Sequence, residues 1–116
     1  MTKKEFKQKR PLIIAVDCDG TLWLKDVKYP ATGTPRMDII EKVKQLKRNG
    51  AFIILWTCRA SKDYGPVKEF CKVHSIEYDV INKNYEHYKS GFAKRKIYAD
   101  WYLDDQAISF NDFLKL

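Results

Sequence analysis

The stretch Leu12-Ile13-Ile14-Ala15-Val16-Asp17-Cys18-Asp19-Gly20-Thr21 decides the fold. Five successive apolar residues, without the alternation of a half-exposed strand, read as a strand buried on both faces. Gly20-Thr21 marks a tight exit, so Asp17 and Asp19 stand at the carboxyl end of that strand. Open α/β sheets bind ligands at that end, and two carboxylates placed there point to an active site.

Outward from this strand, Trp23 to Gly33 mixes charged, aromatic, Pro and Gly residues without a helical period and reads as a loop or small hairpin. Thr34 then offers an N-cap hydroxyl and Pro35 a first helical position. Ile39, Ile40, Val43 and Leu46 recur at helical spacing as far as Gly50, which can close the helix in the left-handed conformation. Ala51 to Trp56 is a second continuous apolar run, ending in the polar Thr57-Cys58-Arg59. Asp63 to His74 carries a helical stripe of Val67, Phe70, Cys71 and Val73. Tyr78, Val80 and Ile81 form a shorter strand that exits at Asn82-Lys83-Asn84. The last strand lies within Ile97 to Leu103, closed by Asp104-Asp105, and a short helix near Ile108 to Leu116 follows. Strands alternating with helices predict an α/β fold whose parallel sheet is joined by right-handed crossovers. In that geometry Asp17, Thr57, Asn82 and Asp104/Asp105 converge on one edge of the sheet.

At 116 residues and 45% hydrophobic, the chain suits one domain, expected over residues 12–116, with no internal repeat. Residues 1–11, with Lys3, Lys4, Lys7, Lys9 and Arg10, read as a flexible basic arm that holds part of the net charge of +7. Such an arm can steer phosphate-bearing substrates or nucleic acid, but no nucleic-acid module accompanies it, and the solubilising reading is favoured. No apolar stretch approaches the roughly 20 residues of a membrane span. The start has no apolar centre of a signal peptide, so a cytoplasmic protein without membrane contact is expected. Cys18, Cys58 and Cys71, an odd number without C-x-x-C spacing, argue against disulfides and zinc. Cys18 and Cys58 read as buried packing residues. His74 and His87 lack a partner at ligand spacing and read as surface residues, while Trp23, Tyr29, Tyr85 and Tyr88 fall in loops flanking the site, where they could stack on a ring.

Two aspartates at the first strand and two at the last make an all-oxygen cluster suited to a hard cation such as Mg2+, which binds few protein carboxylates alongside substrate phosphate. A carboxylate so held can attack phosphorus, with Asp17 as the candidate nucleophile. Asp19 is placed to give a proton to the departing alcohol and later take one from water. Backbone N–H groups of the Asp19-Gly20-Thr21 turn, the Thr57 hydroxyl and the Lys96 ammonium could hold the phosphoryl oxygens. Cys18, between the two candidate catalytic aspartates, is included among the candidate substrate-binding residues, and Arg59 could contact an anionic substrate.

The ordered set of Asp17-x-Asp19-Gly20-Thr21, Thr57, Lys96 and Asp104-Asp105 resembles the haloacid dehalogenase superfamily across nearly the whole chain. The resemblance implies a Rossmann-like three-layer sandwich with a mainly parallel sheet. It implies Asp17 as nucleophile, Asp19 as general acid/base, and Mg2+ held by Asp17, the Asp19 carbonyl, Asp104 and Asp105, with Thr57 and Lys96 on the phosphate. Lys96 is preferred to Lys94 by analogy of its distance to Asp104. The aspartate at position 19 matches the phosphatases of that superfamily. Neither place where large caps are inserted has room for one, so no substantial cap domain is expected, and a homo-oligomer is open. The ending Gly91 to Lys96 and Ala99 to Asp105 is similar to small bacterial and phage members related to nucleotidases. The expected activity is Mg2+-dependent hydrolysis of a phosphate monoester, a nucleotide or another small phosphate, through an aspartyl phosphate. The alternatives are a phosphatase for nucleic-acid ends and a non-catalytic phosphate-binding module of the same fold. A phosphorylated receiver domain has its acidic pair first and its phosphorylated aspartate later, the reverse of this order.

Overall fold

A computed structural model describes residues 10–85 and 96–116. In chain order it contains β1 (Ile13–Asp17), α1 (Met37–Arg48), β2 (Phe52–Trp56), a 3-10 turn (Ser61–Asp63), α2 (Tyr64–Val73), β3 (Val80–Ile81), β4 (Trp101–Leu103) and α3 (Phe110–Leu114). The four strands form one sheet in the order β3-β2-β1-β4, with every pair parallel. This is the expected small Rossmann-like α/β domain. Asp17 lies opposite Trp56 at the end of the β1–β2 ladder, and Val16 lies opposite Leu103 in the β1–β4 ladder. The sequence neighbour β2 is on one side of β1 and the last strand β4 on the other, so the strand order reverses at β1. The crevice of such a sheet opens above that point.

The apolar runs form central strands because both of their faces are covered. Ile14, Val16, Ile53 and Leu55 pack with Ile40 and Val43 of α1 and with Val67, Phe70 and Cys71 of α2. Ile13, Ala15 and Ile54 face the other way, against Ala99 and the partly buried Tyr85, Ile97 and Tyr98. Both crossover helices share one face because right-handed connections stepping in one direction across a sheet stay on one side. Of the three layers expected, the described residues form the sheet and this one helical layer. The connection from β3 to β4 runs through residues 86–95, outside the described residues, as do Tyr88, His87 and Lys94. No helix among the described residues is long and apolar enough to cross a membrane.

Several boundaries differ from the sequence reading. Helix α1 starts at Met37 rather than Pro35, because Thr34 is engaged elsewhere: its N–H and hydroxyl both donate to Asp26, and Pro35 bridges to Trp23. The helix closes as expected, with Lys47 and Arg48 in its last turn and Gly50 at φ +97°. Strand β4 is confined to three residues because the N–H groups before it find side-chain acceptors, Tyr98 on Asn84 Oδ1 and Ala99 on the Tyr102 hydroxyl. Arg10 and Pro11 do not belong to a flexible arm. The Arg10 guanidinium binds both oxygens of buried Asp100 at 2.8 and 2.9 Å, and residues 1–9 lie outside the described residues. Trp23 is 1% exposed and packs on Phe70 with ring centres 4.6 Å apart, so it is a core residue rather than a free loop aromatic. Between β1 and α1 the chain forms only a loop, with no inserted domain.

Candidate functional site

β1 delivers Asp17 to the crevice, and the turn after it is fixed by its own backbone. The N–H groups of Thr21 and Leu22 donate to the Cys18 carbonyl, and the Gly20 N–H donates to Trp23 O at 2.8 Å. These bonds engage the Gly20 and Thr21 amides that the sequence reading offered to phosphate. Thr21 contributes instead through its hydroxyl, which donates to Asp17 Oδ2 at 3.1 Å. Gly20 has φ +91°, and a Cβ there would fall on the Asp105 carboxylate, so conformation and space both require glycine. The Cys18 side chain turns into the core, where burial pushes its thiol pKa up. Its thiol is a packing group.

Asp17, Asp104 and Asp105 each bring a carboxylate oxygen within 4.8 Å of the others. Burial, a hydrogen bond with Asp105 and the negative charges of Asp104 and Asp105 push the Asp17 carboxyl up to about 7, against the opposing Thr21 hydroxyl. Burial would raise Asp105 too, but the Asp17 hydrogen bond and Lys25 outweigh it and hold Asp105 below its ordinary range. The pair therefore favours sharing one proton. Three clustered oxygen donors with one cation at the edge fit a hard divalent ion. That cation is Lys25, whose Nζ lies 3.5 Å from Asp105 Oδ2.

Thr57 enters the same cleft, of about 230 Å3, from the end of β2. Asn82, at the end of β3, grips the Thr57 backbone on both sides, accepting from its N–H at 2.8 Å and donating to its carbonyl at 2.7 Å. Asn82 adopts φ +54° to do this, a conformation asparagine tolerates better than most residues. It is a positioning residue. The Thr57 hydroxyl oxygen accepts the Arg59 N–H at 3.1 Å, which leaves its O–H as a donor.

Asp19 forms another wall of the cleft, but its carboxylate is engaged by Arg59 and Trp23 and is not part of the Asp17, Asp104 and Asp105 cluster. Arg59 binds it through two nitrogens, each at 2.9 Å, and Trp23 Nε1 donates to it at 3.1 Å. The Arg59 bonds are the main reason its carboxyl is held below the usual range. The Arg59 side chain is 1% exposed, and also donates to the carbonyls of Pro30 and Asp63. It braces Asp19 and the loop rather than presenting its charge to a substrate.

Of the residues proposed from sequence, Asp17, Asp19, Thr57, Asp104 and Asp105 meet at this cleft, whereas exposed Lys96 does not line it. Lys25 was missed because its approach depends on the reversal at Gly20 to Trp23, which has no periodic signature. Cys58, expected to be buried, is exposed and lines the cleft.

The fold and site define a small parallel α/β domain with an acidic crevice at its topological switch point. A conserved protein from Bacteroides thetaiotaomicron has a solved structure that matches with a TM-score of 0.72 and 31% identity, covering 85% of this chain and 79% of that chain. The chain belongs to the same family as that protein. No protein-family model and no curated protein matches it.

Proposed function

We propose that the protein hydrolyses phosphate monoesters in a Mg2+-dependent reaction through an aspartyl phosphate on Asp17. The observation that carries this reading is the gathering of Asp17, Asp104 and Asp105 at one point above the sheet, beside a hydroxyl and an ammonium that suit phosphoryl oxygens. The resemblance of the Asp17 to Thr21 motif and the closing acidic pair to the haloacid dehalogenase phosphatases supports the same chemistry.

The carboxylates of Asp17, Asp104 and Asp105, with the Asp19 carbonyl, would hold Mg2+. The ion supplies charge neutralisation that lets three carboxylates coexist ionised and draws charge from the phosphoryl group. Thr57 and Lys25 orient the phosphoryl oxygens, a role the sequence reading gave to Lys96. An Asp17 oxygen attacks phosphorus as the ester P–O bond breaks, and the departing alkoxide takes a proton. Water, giving a proton back to Asp19, then attacks the phosphorus of the acyl phosphate, and the P–O bond to Asp17 breaks to release inorganic phosphate and restore the Asp17 carboxylate. Asp19, in the walls of both the cleft and a neighbouring pocket, is the candidate donor of the proton that the alkoxide takes. To deliver the proton its carboxyl turns from Arg59, since the ion pair favours the ionised form.

Hydrolysis of a generic aryl phosphate tests the reading. Turnover should require Mg2+, stop with EDTA and vanish in Asp17→Asn while the circular dichroism of the variant stays native. Full activity in that variant sinks the mechanism.

A further inference from the structure

Beside the acidic cleft lies a second, larger pocket of about 450 Å3, and the two share Asp19, Lys25 and Cys58 in their walls. Its outer wall is the loop after the first motif, which presents Leu24, Val27 and Tyr29 to solvent at 44, 50 and 53% exposure. Three large apolar side chains held in the open on one short loop call for an occupant.

The loop is braced rather than loose. The Leu24 N–H donates to Thr34 O at 2.8 Å, Asp26 takes two bonds from Thr34, and the Tyr29 hydroxyl donates to Asp63 at 2.7 Å. A Cβ on Gly33 would strike the Leu24 carbonyl and the Asp26 carboxylate. The pocket is therefore formed before any ligand arrives.

Its floor is electrically satisfied. Arg59 is paired with Asp19 and lies against the rings of Tyr29 and Trp23, with its central carbon 4.8 and 5.6 Å from their centroids. Lys25, at the boundary with the acidic cleft, is the remaining charge in the lining. Nothing there calls for a charged ligand group, and a wall of Leu24, Val27, Ala31 and Tyr29 suits a flat apolar one.

We infer that this pocket holds the leaving group, and that the preferred substrates are phosphate monoesters of alcohols carrying an uncharged ring rather than small, fully polar phosphates. The inference rests on the phosphatase reading for the neighbouring cleft and adds the substrate class.

Two alkyl phosphates of similar leaving-group chemistry test it: 2-phenylethyl phosphate and ethyl phosphate, compared with Mg2+ present. The ring substrate should show at least a roughly tenfold higher kcat/KM, carried by KM. The preference should fall to near one in the pocket-filling Ala31→Trp variant and drop several-fold in the double variant Leu24→Ser/Val27→Ser. Equal kcat/KM for the two phosphates, or a preference that survives both variants, overturns the inference and leaves the phosphatase reading intact. If neither is hydrolysed, and the aryl phosphate is not hydrolysed either, the phosphatase reading fails. Calorimetric titration of the same pair then decides the pocket: tighter binding of the ring compound, lost in Ala31→Trp, supports it, and equal binding overturns it.

Discussion

The two ends of the sheet treat their aspartates in opposite ways. At the amino end, Asp100 accepts the Ile13 N–H at 2.8 Å and pairs with Arg10, while Asp79 accepts the Ile53 N–H at 2.7 Å and pairs with Lys47. Each carboxylate there joins one strand to the next and has its own cation. At the carboxyl end, Asp17, Asp104 and Asp105 crowd together with Lys25 at their edge. Acids matched to strand N–H groups and cations hold the fold together, whereas three acids gathered around one ammonium form a cluster that could hold a metal ion. The contrast separates carboxylates that each have a cation of their own from a cluster that shares one, within a single sheet.

The contrast breaks most sharply at Asp17. Asp17→Asn should lower phosphatase turnover by roughly a thousandfold or more, measured with an aryl phosphate under saturating Mg2+, without loss of stability. Asp100→Ala should do the reverse. Removing the buried partner of Arg10 should cost about 3–5 kcal/mol in denaturant unfolding, with turnover per folded molecule retained. A result in which both variants lose activity equally, with similar loss of stability, would erase the distinction between the two ends.

Two smaller effects sharpen it. Folded Asp17 keeps its proton up to about pH 7, whereas an unfolded aspartate releases it near about pH 4. The folded state thus binds more protons in this interval, and the metal-free protein should lose stability as pH rises through it. Discounted for solvent around a partly exposed carboxylate, the loss should be about 1–2 kcal/mol, read as a fall in Tm of several degrees with EDTA present. Asp17→Asn should flatten this slope, and a Tm that rises over the interval by the same route would contradict the clustering. Lys25→Ala carries the smallest effect, with two opposed signs. Losing the ammonium should raise KM for a phosphate ester roughly threefold to tenfold and tighten Mg2+ binding by roughly twofold to threefold, checked by steady-state kinetics and calorimetry.

Much of the site was legible because its residues sit where periodicity ends. The runs to Val16 and Trp56 locate two strand ends, and the acids and threonine just beyond them follow from that placement alone. The turn at Gly20 was legible too, although its second cause, the Asp105 carboxylate where a Cβ would lie, joins positions far apart in the chain. The pairing of Arg59 was out of reach for a related reason. A charged residue near a predicted site looks like a ligand contact until its partner is known, and the Arg59 partner Asp19 is 40 residues away. Trp23 looked like a loop aromatic because its neighbours are polar, and only Phe70 and the buried Leu22 around it make it core.

The sequence by itself determined the order of strands and helices, the parallel sheet and the acids at its carboxyl edge, because apolar periodicity and turn residues act within a few positions along the chain. The tertiary structure alone decided which charges pair. Arg10 with Asp100, Lys47 with Asp79, and Asp19 with Arg59 are contacts across 90, 32 and 40 residues. Such pairing depends on distances through space that no local pattern encodes. It separates the acids that brace the fold from the three that remain gathered at the cleft.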